Sequence, residues 1–253
     1  MGKKTPSSTN KNKEKRLARK IEQRRIADGM SLVTSANQRQ DLMTLCKEML
    51  IFRHSGLEAD LYIQRVTELE KNSLDWVIDL TVRNMQTLYE TCAWGWNKVR
   101  KVEEMTDDSA WYLIATETNG TPVAFSHFRF DMDHGDAVLY CYELQVEAAG
   151  RRRGLGQHLL RVLERLARAT RMSCVRLTAL THNSGAAAFF RACGYKLDET
   201  SPPEEDAQHY EILSKPTTDS DPIDAETDSK ESTEKCPLAS GMQPVRVCVT
   251  NTK

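Results

Sequence analysis

Short apolar-rich runs separated by polar turns predict an antiparallel meander in the middle of the chain. The segments WYLIATE and PVAFSHFRF flank the dipeptide Asn119-Gly120, which is typical of a tight hairpin turn. The segment AVLYCYELQV follows the polar loop DMDHGD and continues the meander. Three further short apolar runs, CVRLTAL, YKLDE and HYEILSK, are interpreted as strands.

Apolar residues at helical spacing predict helices on both sides of this meander. From Asp41 the spacing predicts a helix that stops before Gly56, and residues 61–69 then form a strand. A second helix is expected with Ser73 as its N-cap, and WNKVRKVEEMTDD forms one or two helical turns. After the meander come a leucine-striped helix from Leu155 and a short helix, SGAAAFFRACG, closed by Gly194. The sum is a mixed α/β (α+β) domain.

Charge divides the chain into three parts. Residues 1–25 carry ten Lys or Arg, and residues 198–234 carry thirteen Asp or Glu. We therefore predict a basic N-terminal arm with the start of a helix over 1–40, a folded domain over 41–215 and a disordered acidic tail over 216–253. The arm is either a contact region for an acidic partner or a solvated extension.

Composition excludes several classes of protein. Hydrophobic residues make up 40% and charged residues 28%, and no apolar run is long enough for a membrane span. The seven cysteines are scattered without a C-x-x-C pair, and the histidines lack metal-ligand spacing. We therefore expect a reducing compartment, no disulfide framework, no metal and no membrane span.

The segment RRRGLG predicts an anion site. It follows a strand and opens a helix, where unpaired N–H groups and the helix dipole favour negative charge. A Walker A loop is excluded because no G-K-[ST] triplet follows, and a dinucleotide fingerprint is excluded because the third glycine is missing.

The same segment read as R-x-x-G-x-G, with Asn183 and the Gly194-Tyr195 pair downstream, resembles the Gcn5-related N-acetyltransferase (GNAT) family. That resemblance implies a central, mostly antiparallel mixed sheet with flanking helices and a splayed central strand. It also implies acetyl-CoA as cosubstrate. The residues it assigns to the cofactor are Leu144, Gln145, Val146, Arg151, Arg152, Arg153, Gly154, Leu155, Gly156, Gln157 and Asn183.

Further segments, among them WGW, EEMTDD, LYCYE and YEILS, resemble the N-terminal acetyltransferase D branch of that family. This resemblance implies transfer to the N-terminal amine of histones two-A and four, which begin Ser-Gly-Arg-Gly, in the nucleus and the cytoplasm. No direct nucleic-acid contact is required, and we expect a monomer. The substrate pocket it implies is lined by Tyr89, Trp94, Asp131, Tyr142, Thr178 and Tyr210.

The catalytic residues expected are Glu143, Asp131 and Tyr142. Glu143 is the predicted general base, because an α-amine with a pKa near ~7.7–8.0 needs only a modest base. Direct attack needs no thiol, so Cys141 is assigned to packing. Strand alternation puts Glu143 and Tyr142 on opposite faces, although a bulge or splay would bring them into one cleft.

Other interpretations stay open for these residues. Glu143 is alternatively an exposed strand carboxylate, Asp131 a turn residue and Trp94 a core aromatic. At the level of function, two alternatives remain. One is an acetyltransferase for lysine side chains or other N-termini, and the other is a catalytically silent chromatin-binding module whose basic arm does the binding.

Overall fold

The computed structural model describes residues 8–203 and 208–217. A sheet of eight strands runs through the domain in the order β1-β2-β3-β4-β5-β6-β8-β7. The strands are β1 Ile51–His54, β2 Leu57–Arg65, β3 Trp111–Glu117, β4 Pro122–Asp133, β5 Asp136–Val146, β6 Cys174–Leu180, β7 Lys196–Leu197 and β8 Tyr210–Pro216. All neighbouring strands pair antiparallel except β5 and β6, which are parallel. The predicted mixed α/β fold is confirmed.

In the described part of the chain, five α-helices cover the two faces of this sheet. They are α1 Ser8–Asn37, α2 Lys71–Glu90, α3 Lys98–Met105, α4 Leu155–Ala169 and α5 Ser184–Ala192. The buried stripe of α4, with Leu159, Leu163 and Leu166, packs in the main core with α1 and α5. Helix α2 packs with α3 on the opposite face, where Val77 and Leu80 contact the β3 and β4 side chains. No helix in the described ranges is long and apolar enough to cross a membrane.

Two features of β5 shape the functional region. First, β5 pairs with β6 only from Leu139 to Cys141, so the two strands separate over residues 142–146. Second, the β4–β5 register shifts: His127 lies opposite Glu143 while Phe128 lies opposite Cys141. Tyr142 is therefore the extra residue of a β-bulge. The predicted splay of the central strand is present.

The hairpin, the meander and the helices after it form where the sequence predicts them, whereas the start of the domain differs. The predicted helix from Asp41 is wrong: residues 43–45 and 47–49 form two 3₁₀ turns. They are separated by Cys46, whose backbone leaves the helical region at φ −146° and ψ 30°. The predicted cap is also wrong, because α2 begins at Lys71 and Ser73 lies within its first turn.

Domain boundaries at the two ends stay predictions. Residues 8–37 form the helix α1, which lies within the range 1–40 predicted for the basic arm. The apolar end of α1 packs on the sheet through Leu32, Val33 and Ala36. The predicted acidic tail lies outside the described residues apart from Pro216 and Thr217.

Candidate active site

The bulge in β5 turns two successive side chains toward the α2–α3 face of the sheet. Cys141 lies opposite Phe128 and both belong to the main core, whereas Glu143 lies opposite His127. The ring of Tyr142 stacks on His127 at 4.9 Å between centroids. Simple alternation, which puts Tyr142 and Glu143 on opposite faces, is therefore wrong at this position, and the predicted bulge brings the two residues together.

Glu143 is a fully buried carboxylate with donors on both oxygens. Lys101 Nζ on α3 lies 3.1 Å from Oε1, and Gln145 Nε2 donates to Oε2 at 2.9 Å. Burial raises the pKa of Glu143 to about 7, although the charge of Lys101 lowers it. The group is therefore suited to exchange a proton near neutral pH. The interpretation of Glu143 as an exposed strand carboxylate is wrong, since its exposed fraction is 0%.

A hydrogen-bonded chain connects Glu143 to the RRRGLG loop. Asn84 of α2 donates to Oε1 of Gln145 at 2.9 Å and accepts from the guanidinium of Arg151 at 2.9 Å. Arg151 also donates from Nε to the Val146 carbonyl at 3.0 Å. Arg151 therefore points into the protein, and burial lowers its pKa. The guanidinium thus supports the network around Glu143, and the cofactor contact assigned to Arg151 stays a prediction.

A stack of rings lies beside the base. His127 is sandwiched between Tyr112, 5.2 Å away, and Tyr142. Burial lowers the pKa of His127 well below its ordinary value, so the imidazole is neutral. The guanidinium of Arg129 covers the other side of this region, 4.4 Å from the Tyr142 ring centroid.

Asp131 lies two residues further along β4 and is half-buried. Its Oδ1 accepts from the backbone N–H of Met132 at 2.7 Å, and burial raises its pKa. It belongs to the strand and not to the turn that follows, because β4 continues to Asp133. Its predicted contact with a substrate cation stays a prediction.

Aromatic side chains form a wall at the open side of the site. Tyr89 of α2 packs with Trp96 at 5.3 Å and with Trp94 at 6.4 Å, and Trp94 packs on Tyr210 at 4.8 Å. Lys101 Nζ lies 5.4 Å from the Tyr89 ring centroid, which connects this wall to Glu143. Tyr89 is buried, whereas Trp94 and Tyr210 are partly exposed. The predicted pocket residues Tyr89, Trp94 and Tyr210 are therefore neighbours.

Thr178 is joined to this region through a residue that the sequence analysis did not single out. Its hydroxyl lies 2.7 Å from the hydroxyl of Tyr140, and the Tyr140 ring is 5.4 Å from that of Tyr142. Thr178 lies on β6 beyond the last β5–β6 pair. The two hydroxyls therefore lie where the strands begin to separate.

Backbone N–H groups of β5 face the gap between β5 and β6. Glu147 N–H donates to the Val123 carbonyl on the β4 side. Because donors alternate along an antiparallel strand, the N–H groups of Leu144 and Val146 face the gap and that of Gln145 faces β4. Of the three predicted backbone contacts, two therefore point to the place where a pantetheine arm would lie.

The RRRGLG loop ends at Gly154, the N-cap of α4, with a left-handed φ of 84°. No side chain caps this helix, so the first-turn N–H groups at Leu155, Gly156 and Gln157 are available for an anion. The Cβ that Gly156 lacks would lie 3.3 Å from Phe189, so this glycine also allows α5 to approach. These features fit a bound pyrophosphate.

The remaining loop residues and Asn183 occupy varied positions. Arg152 and Gln157 are exposed, and Arg153 contacts the Gly56 carbonyl at 3.4 Å. Asn183 caps α5 through its side-chain oxygen, which accepts from Ala186. On its β1 side the loop borders a groove of about 420 Å³. The cofactor contacts assigned to these residues stay predictions.

Cys141 faces the main core and is fully buried, and burial raises the pKa of its thiol to about 12. Such a thiol is a poor nucleophile, consistent with its assignment to packing. Sequence patterns did not predict a place in the site for Lys101, Asn84, His127 or Arg129. Only the closeness of His127 and Arg129 to Asp131 on one strand offered a signal.

Comparisons with known proteins find similarity to one family of acetyltransferases. The model of the acetyltransferase (GNAT) family matches residues 79–195, which include β3 to β6, α4, α5, Glu143 and the RRRGLG loop but not Tyr210. A GNAT-family acetyltransferase from Listeria monocytogenes is 12% identical, with 66% of this chain and 99% of that chain covered and a TM-score of 0.48. A ribosomal-protein alanine N-acetyltransferase from Escherichia coli is 17% identical, with 66% and 99% covered and a TM-score of 0.45. A spermidine N-acetyltransferase from Vibrio cholerae is 12% identical, with 62% and 94% covered and a TM-score of 0.44.

Proposed function

We propose that this protein, whose residues 79–195 match the model of the acetyltransferase (GNAT) family, transfers the acetyl group of acetyl-CoA to the free N-terminal α-amine of histones two-A and four. The acetyltransferase activity follows from the family. The α-amine and the histone substrate rest on the site chemistry and on the resemblance of segments such as LYCYE and EEMTDD to N-terminal acetyltransferases of type D.

The choice of an α-amine as the acetyl acceptor rests on one observation, the environment of Glu143. A buried carboxylate with a pKa of about 7 is a matched base for an amine whose own pKa is ~7.7–8.0. Near neutral pH a sizeable fraction of such an amine is already neutral, whereas only roughly 0.1% of a lysine side chain with a pKa of ~10.4 is neutral. Glu143 is therefore better suited to an N-terminus than to a lysine.

The residues of the chain divide the work of the reaction. Glu143 accepts the proton that the attacking amine loses. The N–H groups of Leu144 and Val146 would hold the pantetheine arm and polarise the acyl oxygen, and the first turn of α4 would bind the pyrophosphate. Bound acetyl-CoA would supply the acetyl thioester, whose C–S bond breaks as the amide bond forms, and coenzyme A would leave as its free thiol. Tyr142 and Asp131 line the approach to Glu143 and would orient the incoming amine.

Aromatic and acidic groups near Glu143 are suited to bind a peptide that has an arginine near its N-terminus. Tyr89, Trp94 and Tyr210 provide ring faces on which a guanidinium can stack, and Asp131 provides a partly buried carboxylate. The nuclear and cytoplasmic location and the monomeric state remain proposals, as does the absence of a required nucleic-acid contact.

A peptide assay tests this function. The full chain is incubated with acetyl-CoA and three peptides: Ser-Gly-Arg-Gly with a free α-amine, the same peptide with a blocked α-amine, and a blocked peptide containing lysine. Mass spectrometry should locate one acetyl group on the free α-amine alone. Equal modification of the blocked lysine peptide would support a side-chain acetyltransferase, and no transfer to any peptide would support a silent binding module.

A further inference from the structure

Helix α3 places the buried ammonium of Lys101 next to Glu143, the proposed base. Lys101 has a side chain that is only 7% exposed, and its Nζ lies 3.1 Å from Oε1 of Glu143. Burying a lysine is costly unless its charge is balanced, so a position of this kind is retained for packing or for function. The same Nζ lies over the Tyr89 ring at 5.4 Å.

A second carboxylate competes for this ammonium. Lys101 Nζ also forms an ion pair with Oε1 of Glu104, three residues later on α3. One cation therefore serves two carboxylates. Glu104 is itself held in place, since its backbone carbonyl accepts a hydrogen bond from the guanidinium of Arg129.

We infer that Lys101 is a positioning residue of the transfer reaction, whose ammonium orients the Glu143 carboxylate and controls, in competition with Glu104, how readily Glu143 holds a proton. The inference rests on the proposed function, because it assumes that Glu143 is the base. Removing the cation disfavours the ionised form of Glu143. Removing the competing carboxylate favours that form, because Lys101 then serves Glu143 alone.

The charge of Glu143 depends on groups from every element around it. Lys101 and the Gln145 amide lower the pKa of this carboxyl, and burial and Glu104 raise it. The other titratable or charged groups that face this region are His127, which is neutral, Arg129, Tyr112, Tyr142 and Tyr89. Among the groups named here, only Lys101 and Glu104 are charged residues of α3, so substitutions on one short helix can shift the pKa of Glu143 in both directions.

The test compares Lys101→Met and Glu104→Gln in the full chain. The titration of the Glu143 carboxyl is followed by carbon NMR on protein labelled at its glutamate carboxyls, with the signal assigned by its loss in Glu143→Gln. Lys101→Met should raise the midpoint by about one pH unit or more, the range for losing an adjacent opposite charge. Glu104→Gln should lower it, and Lys101→Arg should keep it near the wild-type value.

Two exposed positions on the same helix give matched controls. Lys98→Met and Glu103→Gln change the same charges at the surface of α3 and should leave the midpoint in place. If Lys101→Met does not fold, Glu104→Gln decides. Midpoints that do not move, or that move in the same direction for Lys101→Met and Glu104→Gln, overturn the inference.

The consequence for activity is measured with one peptide throughout. The acid limb of the kcat/KM profile should move to higher pH in Lys101→Met and to lower pH in Glu104→Gln. The ionisation of the peptide amine is the same for all variants, so it does not cause these shifts. The NMR titration needs no substrate, so it can overturn the inference about Lys101 while the proposed function stands. Conversely, the peptide assay can overturn the proposed function while the titration still shows that Lys101 and Glu104 control the proton of Glu143. An acid limb whose Glu143 component is lost in Glu143→Gln but does not respond to Lys101→Met would leave Glu143 as base and remove the role of Lys101.

Discussion

Gln145 donates from Nε2 to Oε2 of Glu143 at 2.9 Å, and this bond fixes one side of the proposed base. Gln145 is in turn oriented by Asn84, which also binds Arg151 at the start of the RRRGLG loop. The predicted cofactor loop and the predicted base thus belong to one hydrogen-bonded network. Such networks rigidify a site when every member is satisfied.

Asn84→Ala should disturb both ends of this network. The substitution leaves a buried amide oxygen of Gln145 and a guanidinium N–H of Arg151 without their partner, which costs about 1–3 kcal/mol. We expect lower stability in urea unfolding and a lower kcat, because Gln145 no longer holds Glu143. Thr87→Ala, an exposed position on the same helix, is the control. An unchanged kcat in folded Asn84→Ala would show that the network does not support the base.

Gly154→Ala should weaken binding of acetyl-CoA. The residue has a φ of 84°, so a side chain strains the backbone that presents the first-turn N–H groups of α4. Gly120 in the β3–β4 hairpin has the same φ of 84° and no atom near its missing Cβ, so Gly120→Ala is a control with matched strain. Calorimetry should show roughly tenfold weaker binding for Gly154→Ala alone, a loss of about 1.4 kcal/mol. Equal affinities of the two variants would contradict an anion site at this turn.

Trp94→Ala should act on the peptide and not on the cofactor. Its ring packs on Tyr210 at the partly exposed end of the aromatic wall, so truncation removes a stacking surface for the peptide arginine. We expect the KM for the Ser-Gly-Arg-Gly peptide to rise about tenfold, with the KM for acetyl-CoA changed less than about twofold. A change of similar size in both constants would indicate a role in packing.

The stability of the domain should depend on the charge of Glu143. Its folded-state pKa of about 7 lies above the ordinary value of 4.5, so the folded state holds this proton more tightly than the unfolded state. The stabilisation from this group is present below its ordinary pKa and is lost as pH rises through about 7. The difference in unfolding free energy between wild type and Glu143→Gln should therefore fall from about pH 5 to about pH 8. A constant difference would show that Glu143 titrates normally.

Local signals predicted much of the fold. The Asn119-Gly120 turn, the apolar runs of β3 to β5 and the leucine stripe of α4 are determined by residues that are close in the chain, and all formed as expected. The apolar spacing from Leu42 to Leu50 wrongly predicted a helix, because the buried Leu42 and Cys46 flank the first of two short 3₁₀ turns. Helical periodicity alone does not distinguish these arrangements.

The site was harder to predict because it joins distant segments. The resemblance pointed to Glu143 and the aromatic residues, and a bulge at Tyr142 was foreseen as one way to bring Tyr142 and Glu143 together. Lys101 was missed because its segment looks like a solvated, charged helix, and only the docking of α3 against the sheet buries it. Asn84 likewise gains its role only when α2 crosses the end of β5.

The central claim, that Glu143 is the base for transfer to an α-amine, is tested most directly by the pH profile of kcat/KM for wild type and Glu143→Gln with the free Ser-Gly-Arg-Gly peptide. The account predicts a wild-type acid limb near pH 7 and a loss of roughly 100-fold or more in the variant, which folds normally and keeps its affinity for acetyl-CoA. A variant within about twofold of wild type, with the same acid limb, would contradict it.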